Sequence, residues 1–193
     1  MELFKKESRK IFFTGDISET SISPVIDFIL RTNNEDFNNE QSIIGYKREP
    51  IYLYIQTYGG DVYAGLSLCE IIKSSQTPII TYALGAVMSA GLVIYLSGHY
   101  RIASPYSTFM YHEVSTGGYD KLEFMIDNVN EAKRLQILYD KMLTSGTKIT
   151  KEELKKIKDL GKDYIFDSKK ALEYGLANEI SIHTKIKIIK DGK

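Results

Sequence analysis

The spacing of apolar residues switches repeatedly between strand-like and helix-like along the chain. Lys10 to Thr14 (KIFFT) is a short apolar run ending at Gly15-Asp16, and it predicts a strand. From Ser21 to Leu30 the apolar residues Ile22, Val25, Ile26, Ile29 and Leu30 recur at helical spacing. Asn33 to Pro50 is polar, Asn-rich and closed by proline, which predicts a surface excursion. Ile51 to Gln56 (IYLYIQ) has the composition of a strand buried on both faces, and helical spacing follows up to Lys73. Pro78 to Leu84 repeats the pattern, a strand followed by Gly85 and a small-residue helix running to about Leu96. Tyr100 to Ala103 and Thr108 to His112 predict two further short strands. Strands alternating with helices at this spacing indicate β-α-β crossovers and a mainly parallel sheet covered by helices, so the fold class is α/β.

Leu122 to Leu143 is different in kind. Apolar residues at Leu122, Met125, Ile126, Val129, Ala132, Leu135, Leu138 and Met142 give a one-face helix of about six turns, too long to be covered by a domain of this size. Either it reaches outward or a partner buries it. Gly146 closes it, Thr150-Lys151-Glu152-Glu153 reads as a capping box, and a last helix runs from Ser168 to Tyr174 before Gly175.

The chain has 193 residues, enough for one well-buried core and short for two, so a single domain is expected. Lys plus Arg and Asp plus Glu balance at 25 each, which removes the field that gathers phosphate backbones or anionic lipid. Nucleic-acid binding is therefore not expected. Ile79 to Gly98 carries no charge over a length that could span a membrane, but Thr81, Gly85, Ser89, Gly91 and Ser97 within it suit a buried strand, turn and helix. One cysteine, Cys69, and an opening without a signal-type pattern point to a reducing, cytoplasmic compartment. Neither Cys69 nor the three histidines form a ligand cluster, so no metal and no cofactor are expected.

Three places could carry chemistry. His112 ends an apolar strand, where sites gather in α/β sheets, although a half-buried histidine bonded to backbone is the plainer reading. His99 and His183 read as surface residues. Ser89 lies where a strand gives way to a helix, so free backbone N–H groups are at hand to stabilise an anion; tight packing of small residues explains the same sequence. Its flanks, Val87 and Gly91, are not those of a G-x-S-x-G elbow. Tyr58-Gly59-Gly60-Asp61 follows a buried strand and either exposes backbone N–H groups to a ligand or makes a plain turn. Neither a phosphate-binding P-loop nor a dinucleotide fingerprint is present.

Taken in order, IYLYIQTYGGDVYAG, ALGAVMSAGLVIYLSG, MYHEV and KDYIFDSKKALEYGLANEI resemble four segments of the ClpP family, the proteolytic subunit of the Clp protease, from about Lys10 to Ile180. The resemblance implies a ClpP/crotonase-like β-α-β superhelical core, with a head formed by 10–112 and 147–180 and a protruding handle helix over about 113–146. It implies a serine endopeptidase with Ser89 as nucleophile, His112 as general base and Asp163 orienting the imidazole, Asp163 being placed twelve residues before Gly175. The N–H groups of Gly60 and Ala90 would form the oxyanion hole. Asp61 and Val62, with Glu113, Val114 and Ser115 in the stretch to Gly118, would flank an extended peptide. The handle would join rings of seven subunits, one ring or two stacked, into a homo-oligomeric chamber for peptides or unfolded proteins. Only about ten residues precede the first strand (1–9, with a tail over 181–193), which counts against docking of an AAA+ ATPase unfoldase. Tyr58 and Val114 stand where the family usually has proline, which leaves groove shape open. Rival readings are a catalytically idle ring subunit, a phage-type head-maturation peptidase, and an acyl-CoA enzyme of the crotonase class.

Overall fold

A computed structural model describes residues 9–117, 119 and 121–181. The N-terminal segment before Arg9, the tail after Ser181, Gly118 and His183 lie outside them.

Strand β1 (Lys10–Thr14) leads into helix α1 (Glu19–Ser42), and β2 (Ile51–Thr57) into α2 (Val62–Ser74). After them come β3 (Ile79–Met88), α3 (Ala90–Leu96), β4 (Tyr100–Ala103) and β5 (Thr108–Tyr111). The chain then forms α4 (Leu122–Gly146), α5 (Lys151–Asp159), β6 (Tyr164–Asp167), α6 (Ser168–Glu173) and β7 (Glu179–Ile180). Strands β1, β2, β3, β4 and β7 lie side by side in that order, all parallel. The sheet also contains β5, parallel to the end of β3, and β6, antiparallel to β5. The expected α/β class is observed.

One face of the sheet packs on helices through Ile51, Leu53, Ile55, Leu68, Ile72 and Ile94, all fully buried. Because side chains alternate across a strand, Tyr54, Tyr82 and Ile102 fall on the other face. They form a second cluster with Tyr52, Ile80 and Leu84, built from strand residues alone. Phe12, 63% exposed, stacks on Tyr54 there. Helices thus do not supply the packing on both sides, as the apolar composition of the strands suggests.

The polar stretch from Asn33 is where the structure departs most from the pattern. Instead of an excursion, α1 runs on to Ser42, pinned by polar side chains rather than an apolar face. Asn33 Oδ1 accepts the N–H groups of Gln76 and Thr77, and its amide donates to Ser75 Oγ. Asp36 is fully buried and accepts from Arg9 at 2.5 and 2.8 Å, from Tyr46 at 2.5 Å and from Thr77 at 2.6 Å. Burial pushes its carboxyl up, but those hydrogen bonds outweigh it and hold the group at about 2. A carboxyl held below its unfolded value of about 3.9 stabilises the fold fully above that pH and progressively less as pH falls toward about 2. Asp36→Asn is therefore expected to cost about 3 kcal/mol at neutral pH, as breaking a buried pair does. In urea melts the gap to wild type should be constant above about pH 5 and shrink below about pH 4.

The second departure is in β3. The strand does not stop at Leu84 but passes through Gly85 (φ 46°) and ends at Met88. Gly85 marks a change of partner: Ala83 pairs with Ala103 of β4, and Ala86 pairs with Thr108 of β5. The bend carries the chain from the main row of strands onto the β5–β6 pair. It delivers Ser89 beside the end of β5.

Helix α4 is present, and its apolar stripe is covered only toward its C-terminal end, where Leu135 is buried and Met142 packs on the core, so its N-terminal half reaches outward. Leu135, Tyr139 and Leu143 are buried, one turn apart, whereas Leu122 is 71% exposed and Phe124, Met125, Ile126 and Val129 are exposed with it. The Thr150 hydroxyl accepts the Glu153 N–H, the forward half of the expected capping box.

Candidate active site

Ser89 sits between β3 and α3 with φ 53° and ψ −129°, the one non-glycine residue with positive φ among the described residues. Such a conformation costs about 1–3 kcal/mol and persists only where the surroundings enforce it. Here three bonds do. The Ser89 N–H donates to the Met110 carbonyl at 3.0 Å, and the Ser89 carbonyl accepts from the Leu92 N–H at 2.9 Å and the Tyr139 hydroxyl at 2.8 Å. The turn is as sharp as a nucleophile elbow, yet its clearance comes from a neighbouring loop. A Cβ on Gly59 would lie 2.6 Å from Ser89 Cβ, so glycine there makes room for the serine.

His112 follows directly on β5, which ends at Tyr111. Pairing of Met88 with Met110 sets the two strand ends level, and His112 Nε2 lies 2.7 Å from Ser89 Oγ. With Nε2 unprotonated, the hydroxyl is the donor in this bond. The imidazole is half-buried, and its partner is the serine rather than backbone. His99, by contrast, is exposed and accepts the Ile79 N–H through Nδ1, a structural bond at the start of β3.

Gly60 is held by a parallel bridge to Ile17, in which the Gly59 carbonyl accepts the Ile17 N–H and the Ile17 carbonyl accepts the Asp61 N–H. The Gly60 N–H is not used by that bridge. A Cβ on Gly60 (φ 141°) would meet the Ile17 carbonyl oxygen at 2.3 Å, so only glycine fits. Ala90 is the first residue of α3, and its N–H has no carbonyl one turn earlier within the helix. Gly60, Ser89, Ala90 and His112 line one small cavity of about 80 Å³. The rest of its wall is largely apolar, including Val62, Leu66, Val93, Leu135 and Tyr139.

Of the residues expected to flank a peptide, Val62, Val114 and Ser115 line this cavity. Asp61 caps α2 by accepting the Ala64 N–H at 2.7 Å and borders the adjoining groove with Thr116, Asn128 and Glu131. Glu113 does not line the cleft: its carboxylate turns toward α5 and lies 3.5 Å from Lys158 Nζ, because successive side chains of an extended segment point to opposite sides. The Val114 N–H is already taken by Gln136 of α4, at 2.6 Å.

Asp163 precedes β6. Tyr164 pairs with Tyr111, so Asp163 falls one step beyond that pair, level with His112. It is exposed, and among the described residues no hydrogen bond joins it to His112. Two residues that sequence reasoning passed over also belong to the site, Tyr139 and Gln136. Tyr139 sits one turn after Leu135, and that spacing was the one available signal. Among the described residues, no three of His, Cys, Asp and Glu are grouped to hold a metal, and no helix is long and apolar enough to cross a membrane.

The family model described as Clp protease matches residues 2–184. The chain is 26% identical over 178 residues to the ATP-dependent Clp protease proteolytic subunit 2 of Treponema pallidum (strain Nichols), covering 90% of this chain and 82% of the relative. It is 32% identical over 138 residues to the protein of the same name from Prochlorococcus marinus (strain MIT 9312), covering 70% of this chain and 67% of the relative. Among solved structures, a ClpP1 point mutant from Listeria monocytogenes superposes with a TM-score of 0.75 at 24% identity, over 92% of both chains, a likeness of fold.

Proposed function

From the premise that the chain belongs to the Clp protease family, a family of serine peptidases, we propose that it cleaves peptide bonds through an acyl-enzyme on Ser89 inside a ring of identical subunits. The 2.7 Å contact between His112 Nε2 and Ser89 Oγ carries this reading. It is the geometry a serine needs to lose its proton as it attacks.

The steps follow from that contact. Ser89 Oγ adds to the scissile carbonyl while its proton passes to His112 Nε2. The negative charge that develops on the carbonyl oxygen faces the N–H groups of Gly60 and Ala90, each worth about 3 kcal/mol in the transition state. His112 then protonates the departing amine nitrogen, the peptide bond breaks and the acyl part stays on Ser89 as an ester. Water enters, gives a proton to His112 and attacks the ester; the same proton returns to Ser89 as the carboxylic product leaves. Asp163 is assigned the task of holding the imidazole by its other nitrogen, from its position level with His112.

The apolar wall beside Ser89 favours an apolar side chain on the acyl side of the cut, and main-chain pairing with the glycine segment makes the rest tolerant of sequence. The exposed Leu122, Phe124, Met125, Ile126 and Val129 on α4 support a partner copy covering the handle, as rings of seven that stack face to face would do. The words ATP-dependent in the relatives' names support an ATPase acting with this peptidase. A cytoplasmic setting suits such a peptidase.

Turnover of a fluorogenic short peptide, followed across size-separated fractions with native mass measurement, tests this. Cleavage should travel with a multiple of the 22.0 kDa subunit. An assembled particle that cleaves nothing would leave the scaffold reading in its place.

A further inference from the structure

The peptide unit between Ser89 and Ala90 has two ends with two uses. Its N–H is the Ala90 donor assigned above to the oxyanion hole, and its carbonyl is the Ser89 oxygen that Tyr139 and Leu92 hold. A trans peptide is planar, so its C=O and N–H point in opposite directions and fixing one fixes the other. We propose that Tyr139 is a positioning residue for the oxyanion hole: its hydroxyl, by holding the Ser89 carbonyl on the helix α4 side, aims the Ala90 N–H at the reacting carbonyl. The proposal rests on Ser89 being the nucleophile.

The backbone angles show what the bond works against. At φ 53° and ψ −129° Ser89 lies outside the regions open to L residues. A half-turn of the following peptide takes Ser89 ψ to about +50°, the ordinary left-handed region, but turns Ala90 from its negative, helical φ to a positive one. The flip relieves Ser89 at the expense of Ala90, and in it the Ser89 carbonyl oxygen would occupy the direction in which the Ala90 N–H now points. An oxygen there repels an oxyanion. The Leu92 N–H alone belongs to the same short helix and can move with it. Tyr139 comes from a different element, fifty residues on.

The anchor itself is well fixed. The Tyr139 ring stacks on Tyr111, with centroids 5.5 Å apart. Gln136, one turn earlier on α4, accepts the Val114 N–H at Oε1 (2.6 Å) and donates its amide hydrogens to the Tyr111 hydroxyl at 3.0 Å and Asp140 Oδ1 at 2.6 Å. The Tyr111 hydroxyl donates to the same Asp140 oxygen at 2.8 Å, and Lys158 Nζ reaches the other at 2.9 Å. Tyr139 is thus clamped to the strand that carries His112. Burial pushes its phenol well above the usual range, so it remains a donor.

Tyr139→Phe keeps the ring and removes the donor. With a fluorogenic peptide, kcat should fall by about 10- to 100-fold, less than outright loss of an oxyanion donor, while KM stays within about twofold. A peptide aldehyde, whose adduct on Ser89 carries the oxyanion, should lose affinity in proportion to kcat, whereas the cleaved peptide product should inhibit as before. Replacing Tyr139 by 4-aminophenylalanine restores a donor at the same place and should return most of kcat. Unchanged kcat in Tyr139→Phe overturns the proposal, as does a loss of fold, or of KM and product affinity together, since the hydroxyl would then be a structural bond. If wild type shows no turnover that Ser89→Ala abolishes, the underlying reading has failed instead, and this one with it.

Discussion

Ser89→Ala is expected to lower peptide turnover by on the order of 10⁶-fold, the loss seen when a serine nucleophile is removed from a triad. The substitution deletes Oγ and with it the bond to His112 Nε2, but it leaves the rest of the turn intact. Ser89 uses its backbone for the bonds to Met110, Leu92 and Tyr139, and Cβ, the atom that packs against Gly59, is retained. The melting temperature and particle size should therefore match wild type, which separates lost chemistry from lost structure. Residual activity above about 1% of wild type in a clean preparation would mean that another group attacks the substrate.

Asp163→Asn is expected to lower kcat by roughly 10⁴-fold, because an amide would hold the imidazole in the wrong tautomer. The size of that effect discriminates between two arrangements. Opposite residues in an antiparallel pair share a face, with Cβ atoms about 5 Å apart, so continuing the register from Tyr111–Tyr164 brings the carboxylate within reach of His112. In the structure Asp163 is exposed and the Ser89–His112 bond stands without it. If engaging substrate or a neighbouring subunit closes the last bond, the full loss will appear in kcat. A variant within threefold of wild type would mean that serine and histidine suffice and that Asp163 is outside the machinery.

The parts of this protein that are legible in its sequence are those governed by burial. The apolar strands and the one-turn spacing of Ile22, Val25 and Ile29 report which side chains face the core, and they lead to an α/β fold with Ser89 and His112 at element ends. Geometry then unites the pair, through the register of Met88 with Met110. Asn33 to Ser42 is helical for a reason that apolar period cannot express: Asn33 and Asp36 are fixed by specific polar partners 27 to 44 residues away, apart from Tyr46 and the helix's own carbonyls. Gly85 read as a terminator because a glycine after a strand usually ends it, whereas here it turns the strand toward a second partner. Tyr139 looked like one more residue of a long helix. Its meaning depends on which turn of α4 meets α3, and that is decided by tertiary packing. Asp163 was assigned from the resemblance alone, and nothing in its local sequence sets it apart from the neighbouring Asp159 and Asp167.

The central claim is that Ser89, activated by His112, is a nucleophile. It is tested most directly by treating the folded protein with a fluorophosphonate and locating the adduct by intact mass and peptide mapping. The account predicts one adduct per chain, on Ser89, with labelling slowed by orders of magnitude in His112→Ala and absent in Ser89→Ala. No adduct on a folded, assembled wild-type protein, or an adduct on a different serine, would contradict it.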